Sequence, residues 1–136
     1  MPRTDVYFYQ EANGQVPVWQ WLTDLAKHDR TAFAKCAAKI KRLEDKGHEL
    51  RRPEADYLEE DIYELRAKKG HVNYRILYFF HGQNVALLCH ALTKERAIPA
   101  ADLARAKARK ATFEKDPAAH TATYRLTGDR SLHRRG

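Results

Sequence analysis

The spacing of apolar residues changes along the chain, and each change marks an element. From Asp61 to Leu92 the pattern is β-like. Ile62-Tyr63-Glu64-Leu65-Arg66-Ala67 leads into a Lys68-Lys69-Gly70 turn, then Val72-Asn73-Tyr74-Arg75-Ile76-Leu77-Tyr78-Phe79-Phe80. A His81-Gly82-Gln83-Asn84 turn follows, then Val85 to Leu92. Three β-rich runs joined by short glycine-containing turns predict an antiparallel meander. Upstream, Asp5 to Gln10 reads as a short strand ended by Asn13-Gly14. Pro17 suits a first helical turn, and Val18, Trp21, Leu22 and Leu25 follow at i, i+3, i+4 and i+7. His28-Asp29-Arg30 interrupts that stripe, and Thr31 is a candidate cap for a second helix. Its apolar side carries Phe33, Cys36, Ala37, Ile40 and Leu43, and Gly47 ends it.

Residues 48–60 read as a polar, solvated connector holding Pro53 and the acidic run Glu54, Asp56, Glu59, Glu60. After the meander, Pro99 opens a helix over Ala100 to Lys115 with a thin stripe of Leu103, Ala104, Ala108 and Ala111. Pro117 stops it, and the rest, low in apolar residues, reads as a basic, poorly ordered tail. The predicted order is β-α-α-β-β-β-α. Adjacent strands with segregated helices predict an α+β two-layer fold, an antiparallel sheet carrying a helical hairpin. The domain is expected over 1–116 and the tail over 117–136.

Composition narrows the function. The 136 residues suit one domain, and 43% hydrophobic content allows a real core. No apolar run reaches the roughly 18 residues of a membrane span. The N-terminus lacks signal-peptide character, so a cytoplasmic location is expected. Cys36 and Cys89 have no ligand spacing and read as free thiols. The histidines form no HxxxH or HExxH pair, so no metal and no cofactor is expected. The net charge of +7 is uneven. Residues 1–61 carry 10 basic and 12 acidic side chains, whereas residues 62–110 carry 10 and 3. A localised basic field favours a polyanion or an acidic protein segment. Arg105 and Arg109 on the last predicted helix face water or such a partner.

Arg66 and Arg75 interrupt otherwise apolar strands. An arginine there needs a partner or a cleft, because an unpaired buried charge is very costly. The succession Tyr63-Glu64-Leu65-Arg66, Tyr74-Arg75-Ile76-Leu77-Tyr78-Phe79-Phe80, Leu87-Leu88-Cys89-His90-Ala91-Leu92-Thr93-Lys94 and Pro99 resembles the RelE/HigB toxin superfamily, in particular its HigB-like, phage-derived members. The resemblance spans about residues 5–114. It departs at Thr93, where a first of two lysines is usual, and at Ala91, where an aromatic residue is common.

The resemblance implies a RelE-like fold and the toxin of a type II toxin–antitoxin system. It implies a ribosome-dependent mRNA endonuclease needing no metal, with mRNA, the ribosome and a cognate antitoxin of helix-turn-helix type as partners. A ParE-like inhibitor of DNA gyrase, or an inactive toxin-fold protein, are the competing readings, because fold does not fix function. Oligomeric state and cleavage preference stay open.

Metal-free RNA cleavage uses the 2′-hydroxyl as nucleophile. A base must take its proton, a cation must meet the charge on phosphorus, and an acid must serve the 5′-oxygen. Arg66 and Arg75 on neighbouring strands can converge on one phosphate, or each can pair with a local carboxylate such as Glu64. His90 is the candidate acid or base. Lys94 is the fourth catalytic candidate. Arg96, Lys68, Lys69, Arg105 and Arg109 are the candidate RNA-binding cations. Tyr74 and Tyr78 can stack on a base or belong to the core.

Overall fold

The computed structural model describes residues 3–93, 97–126 and 132–133, with backbone alone at 125, 132 and 133. Strand β1 (Asp5–Tyr9) is followed by helices α1 (Pro17–His28) and α2 (Arg30–Lys46). Strands β2 (Ala55–Glu59), β3 (Ile62–Lys69), β4 (Val72–His81) and β5 (Val85–Thr93) come next, then helix α3 (Ala100–Lys115). Short strands β6 (Thr121–Ala122), β7 (Arg125–Leu126) and β8 (Leu132–His133) close the order.

The helical hairpin and the meander form where the periodicity puts them. Pro17 occupies the start of α1, where its missing N–H costs nothing. Asp29, rather than Thr31, caps α2: its carboxylate accepts from the Ala32 amide at 3.1 Å. The same carboxylate receives Lys69 Nζ at 2.7 Å, which ties the helical joint to the far end of β3. The Lys69 ammonium holds the Asp29 carboxyl below its usual range. Phe33, Cys36, Ala37, Ile40 and Leu43 are all buried, as the stripe predicts. At Gly47 the backbone turns with φ 53°, and a Cβ there would meet Thr4 Oγ1 at 2.3 Å. Glycine is required on both counts.

The sheet departs from expectation in three ways. First, the polar connector holds a strand. β2 pairs antiparallel with β3 through Ala55↔Leu65, Asp56↔Glu64 and Tyr57↔Tyr63. Its return turn places Glu60 and Asp61 at positive φ, the geometry usually supplied by Asn-Gly. Second, the sheet is mixed: its six strands run β2-β3-β4-β5-β1-β6, and β1 lies parallel to β5 with Val6↔Ala86 and Phe8↔Leu88 in register. Third, there are helices on both faces. Tyr74, Ile76, Tyr78, Leu65 and Leu88 pack with α1 and α2. Leu77, Phe79, Leu87 and Leu92 pack with Ala106 and Phe113 of α3. Coverage on both sides explains why Ile76 to Phe79 are buried without alternation.

The stripe expected on α3 is also corrected. Ala104, Ala108 and Ala111 are exposed, and the helix packs through Leu103, Ala106 and Phe113. Nor is the chain after Pro117 a bare tail. β6 pairs antiparallel with β1, His120 stacks on Tyr9 at 5.7 Å, and Tyr124 packs edge-on to Trp19 at 4.7 Å. Among the described residues no helix is long and apolar enough to cross a membrane.

Candidate functional site

The register of β3, β4 and β5 decides which polar side chains share a face. Arg66 lies directly opposite Arg75, and Glu64, Leu77 and His90 form the adjoining row. Directly paired residues point to the same side of a sheet. Leu77 and Leu92 belong to the cluster under α3, so Glu64, Arg66, Arg75 and His90 all face α3. Arg75 pairs with Leu92, which makes His90 its diagonal neighbour, about 7–8 Å away between Cα atoms.

Glu64 is the hub of this face. It is only 1% exposed, yet it meets two cations. Arg66 Nε donates to Oε2 at 2.9 Å, and Arg75 Nη1 donates to Oε1. Arg66 also reaches Asp56 at 3.3 Å, and Asp56 takes Arg52 at 3.0 Å. The Arg52 guanidinium holds the Asp56 carboxyl below its usual range. Both strand arginines therefore have carboxylate partners, the second of the alternatives the sequence leaves open. Arg75 is not saturated, however. Its side chain is 14% exposed, and its buried Nε has no hydrogen-bond partner among the described residues. An unmet donor on a buried charged group is uncommon in a purely structural pair.

His90 is clamped by α3. One ring nitrogen, Nε2, lies 2.7 Å from Asp102 Oδ1, and the other, Nδ1, lies 3.1 Å from Arg109 Nη1. A guanidinium only donates, so Nδ1 accepts and the ring proton sits on Nε2, donated to Asp102. Burial lowers the imidazole pKa, Arg109 and Arg105 lower it further, and Asp102 opposes them. Arg109 is itself fixed: it donates to the Cys89 carbonyl at 2.8 Å, lies over the Tyr9 ring at 5.8 Å and comes within 3.9 Å of Glu11.

The remaining predicted residues scatter. Lys94 and Arg96 lie outside the described residues. Lys68 and Arg105 are exposed and form no ion pair among the described residues. Lys69 is engaged by Asp29, and Arg109 points into the sheet rather than toward a polyanion. Tyr74 and Tyr78 are buried on the opposite face, against Trp21 and Tyr63, and are core residues. Cys36 and Cys89 are free and buried in different clusters.

The basic field of residues 62–110 is largely met by acids from other parts of the chain. Arg66 takes Asp56, Lys69 takes Asp29, Lys107 takes Glu59 and Glu60, and Arg109 approaches Glu11. Asp56, Glu59 and Glu60 of the acidic run thus serve as counter-ions, as does Glu54 for Lys39 and Arg42, where the sequence predicts a solvated loop. Asp102 and Glu11 carried no sequence signal, because their partners are distant in the chain and an acidic residue in a first helical turn has a routine electrostatic explanation. Among the described residues no group of three or more His, Cys, Asp or Glu side chains could hold a metal ion.

Residues 20–111 match the family described as phage-derived protein Gp49-like (DUF891). The matched span includes Glu64, Arg66, Arg75, His90, Asp102 and Arg109, and stops short of β1 and β6. A search of curated proteins found no match.

Proposed function

The chain belongs to the phage-derived Gp49-like family, a toxin-like family, and from that premise we propose that it is a type II toxin that cleaves mRNA on the ribosome. The observation that carries the proposal is the Arg66–Arg75 pair, one of whose buried donors is unmet. Two guanidinium groups facing each other across β3 and β4 suit a phosphate that gains negative charge as it reacts.

In this scheme the 2′-oxygen attacks the adjacent phosphorus. The P–O2′ bond forms and the P–O5′ bond breaks, leaving a 2′,3′-cyclic phosphate and a 5′-hydroxyl. Arg75, with Arg66 beside it, stabilises the charge on the phosphoryl oxygens. His90 exchanges a proton with the reacting oxygens through Nδ1, the nitrogen that Arg109 must first release. Lys94 and Arg96, just past β5, contribute phosphate contacts, as do exposed Lys68 and Arg105. The charge is met by guanidinium groups rather than by a metal ion. A cognate antitoxin, of helix-turn-helix type in this reading, covers the site in the cytoplasm and relieves the toxicity.

A second reading has its own support. Glu64 and Asp56 neutralise the arginine pair, and a neutralised pair serves a scaffold as well as it serves a phosphate. A ParE-like inhibitor of gyrase would need no such site. Mapping mRNA 5′ ends after brief induction separates the two. New 5′ ends are expected with the wild type, and Arg75→Ala should reduce cleavage by roughly a hundredfold, the usual effect of losing one donor to a developing oxyanion. Growth arrest with no new mRNA ends, together with lost DNA supercoiling, would overturn the nuclease reading.

A further inference from the structure

We infer that Asp102 is the positioning residue for His90, fixing the imidazole in the Nε2–H form and orienting Nδ1 toward Arg109. The inference rests on the nuclease reading for its catalytic meaning and on geometry for its existence. His90 belongs to a bulged stretch of β5, where the register shifts between Leu77 and Tyr78. Such a bulge re-aims side chains. Asp102 stands in the first turn of α3, whose N-cap is Pro99. The helix thus delivers a carboxylate to within 2.7 Å of the ring, and about two turns further on it delivers Arg109 to the opposite nitrogen. A carboxylate on one nitrogen and a cation on the other leave a single tautomer. The carboxylate also favours the protonated ring, so it opposes the lowering by burial and raises the pH at which His90 exchanges its proton.

The other charged or titratable groups around the ring are few among the described residues. Arg105 and Arg109 approach from α3, Arg75 lies diagonally across on β4, and Tyr9 and Glu11 act through Arg109. Among the described residues, Asp102 is the one carboxylate in direct contact.

The sign of the test does not depend on whether His90 serves as acid or base. Asp102 raises the imidazole pKa, so Asp102→Asn lowers it. An acid limb governed by neutral His90 then moves to lower pH, and so does an alkaline limb governed by protonated His90. The expected displacement is about one pH unit, or tenfold in rate at a pH on the limb. Cleavage would be followed against pH for the wild type, His90→Asn, Asp102→Asn and Leu103→Ala. The wild-type limb should vanish in His90→Asn and move down in Asp102→Asn. It should stay in place in Leu103→Ala, which thins the packing of the same turn without touching the ring.

The His90 ring is titrated in parallel by NMR, assigned by difference against His90→Asn. A drop in its midpoint in Asp102→Asn supports the inference, and an unchanged midpoint overturns it. A wild-type limb that persists unmoved in Asp102→Asn also overturns it. If the wild type cleaves no RNA, the nuclease reading falls, and the NMR titration alone decides whether Asp102 governs the ring.

Discussion

Replacing Glu64 by alanine should destabilise the protein more than replacing either arginine that it binds. The carboxylate is 1% exposed and takes one donor from each arginine. Its removal leaves Arg75, 14% exposed, with no carboxylate among the described residues and with Nε still unmet. Stripping a buried charge of its partner costs about 3–5 kcal/mol. Arg75→Ala is milder, because Glu64 keeps its 2.9 Å bond from Arg66. The loss is then about 1.5–3 kcal/mol, the range for one hydrogen bond to a charged group. Arg66→Ala is milder still: its side chain is 37% exposed, so solvent screening brings the loss below about 1 kcal/mol. Urea unfolding followed by circular dichroism gives the three values, and the double variant Glu64→Ala/Arg75→Ala gives their coupling. The double variant should recover part of the Glu64→Ala loss, since no lone charge remains. If Arg75→Ala proves as costly as Glu64→Ala, or if the double variant is simply additive, Glu64 is not the hub described above.

Deleting residues 117–136 should lower stability and shift tryptophan emission to the red, because Tyr124 and the β6–β1 pairing cover Trp19 and Phe8. Unchanged emission would return this segment to the status of a passive tail. The thiols should resist alkylation in the native state. Burial pushes both Cys36 and Cys89 up to about 12, so the reactive thiolate is scarce at neutral pH. Because the folded state holds these protons more tightly, the stabilisation they give is intact below pH 9 and is lost as pH rises toward 12. Labelling of the folded protein at pH 8 at the rate of the unfolded chain would contradict that burial.

Some of this protein is written in local pattern. The helical hairpin over 17–46 and the three strands of the meander follow from apolar spacing, because each element buries a stripe or a face whose period is set by its own backbone. The positions of Arg66 and Arg75 as polar intrusions in β-strands were equally legible. What the pattern missed depends on partners far away in sequence. β2 has a polar edge sequence, and its turn uses Glu60 and Asp61 where Asn-Gly would have announced it. The parallel pairing of β1 with β5 joins residues 80 apart, which no local window registers. The inward face of α3 is set by which side meets the sheet, and three exposed alanines at helical spacing gave a false stripe. The site follows the same division. Residue types alone place two arginines and a histidine on adjacent strands. Glu64 was already a candidate partner for both arginines; only packing brings Asp56 and Glu11 to the arginines and Asp102 to His90, because charge pairing inside a protein is decided by which groups are desolvated together, not by where they stand in the chain.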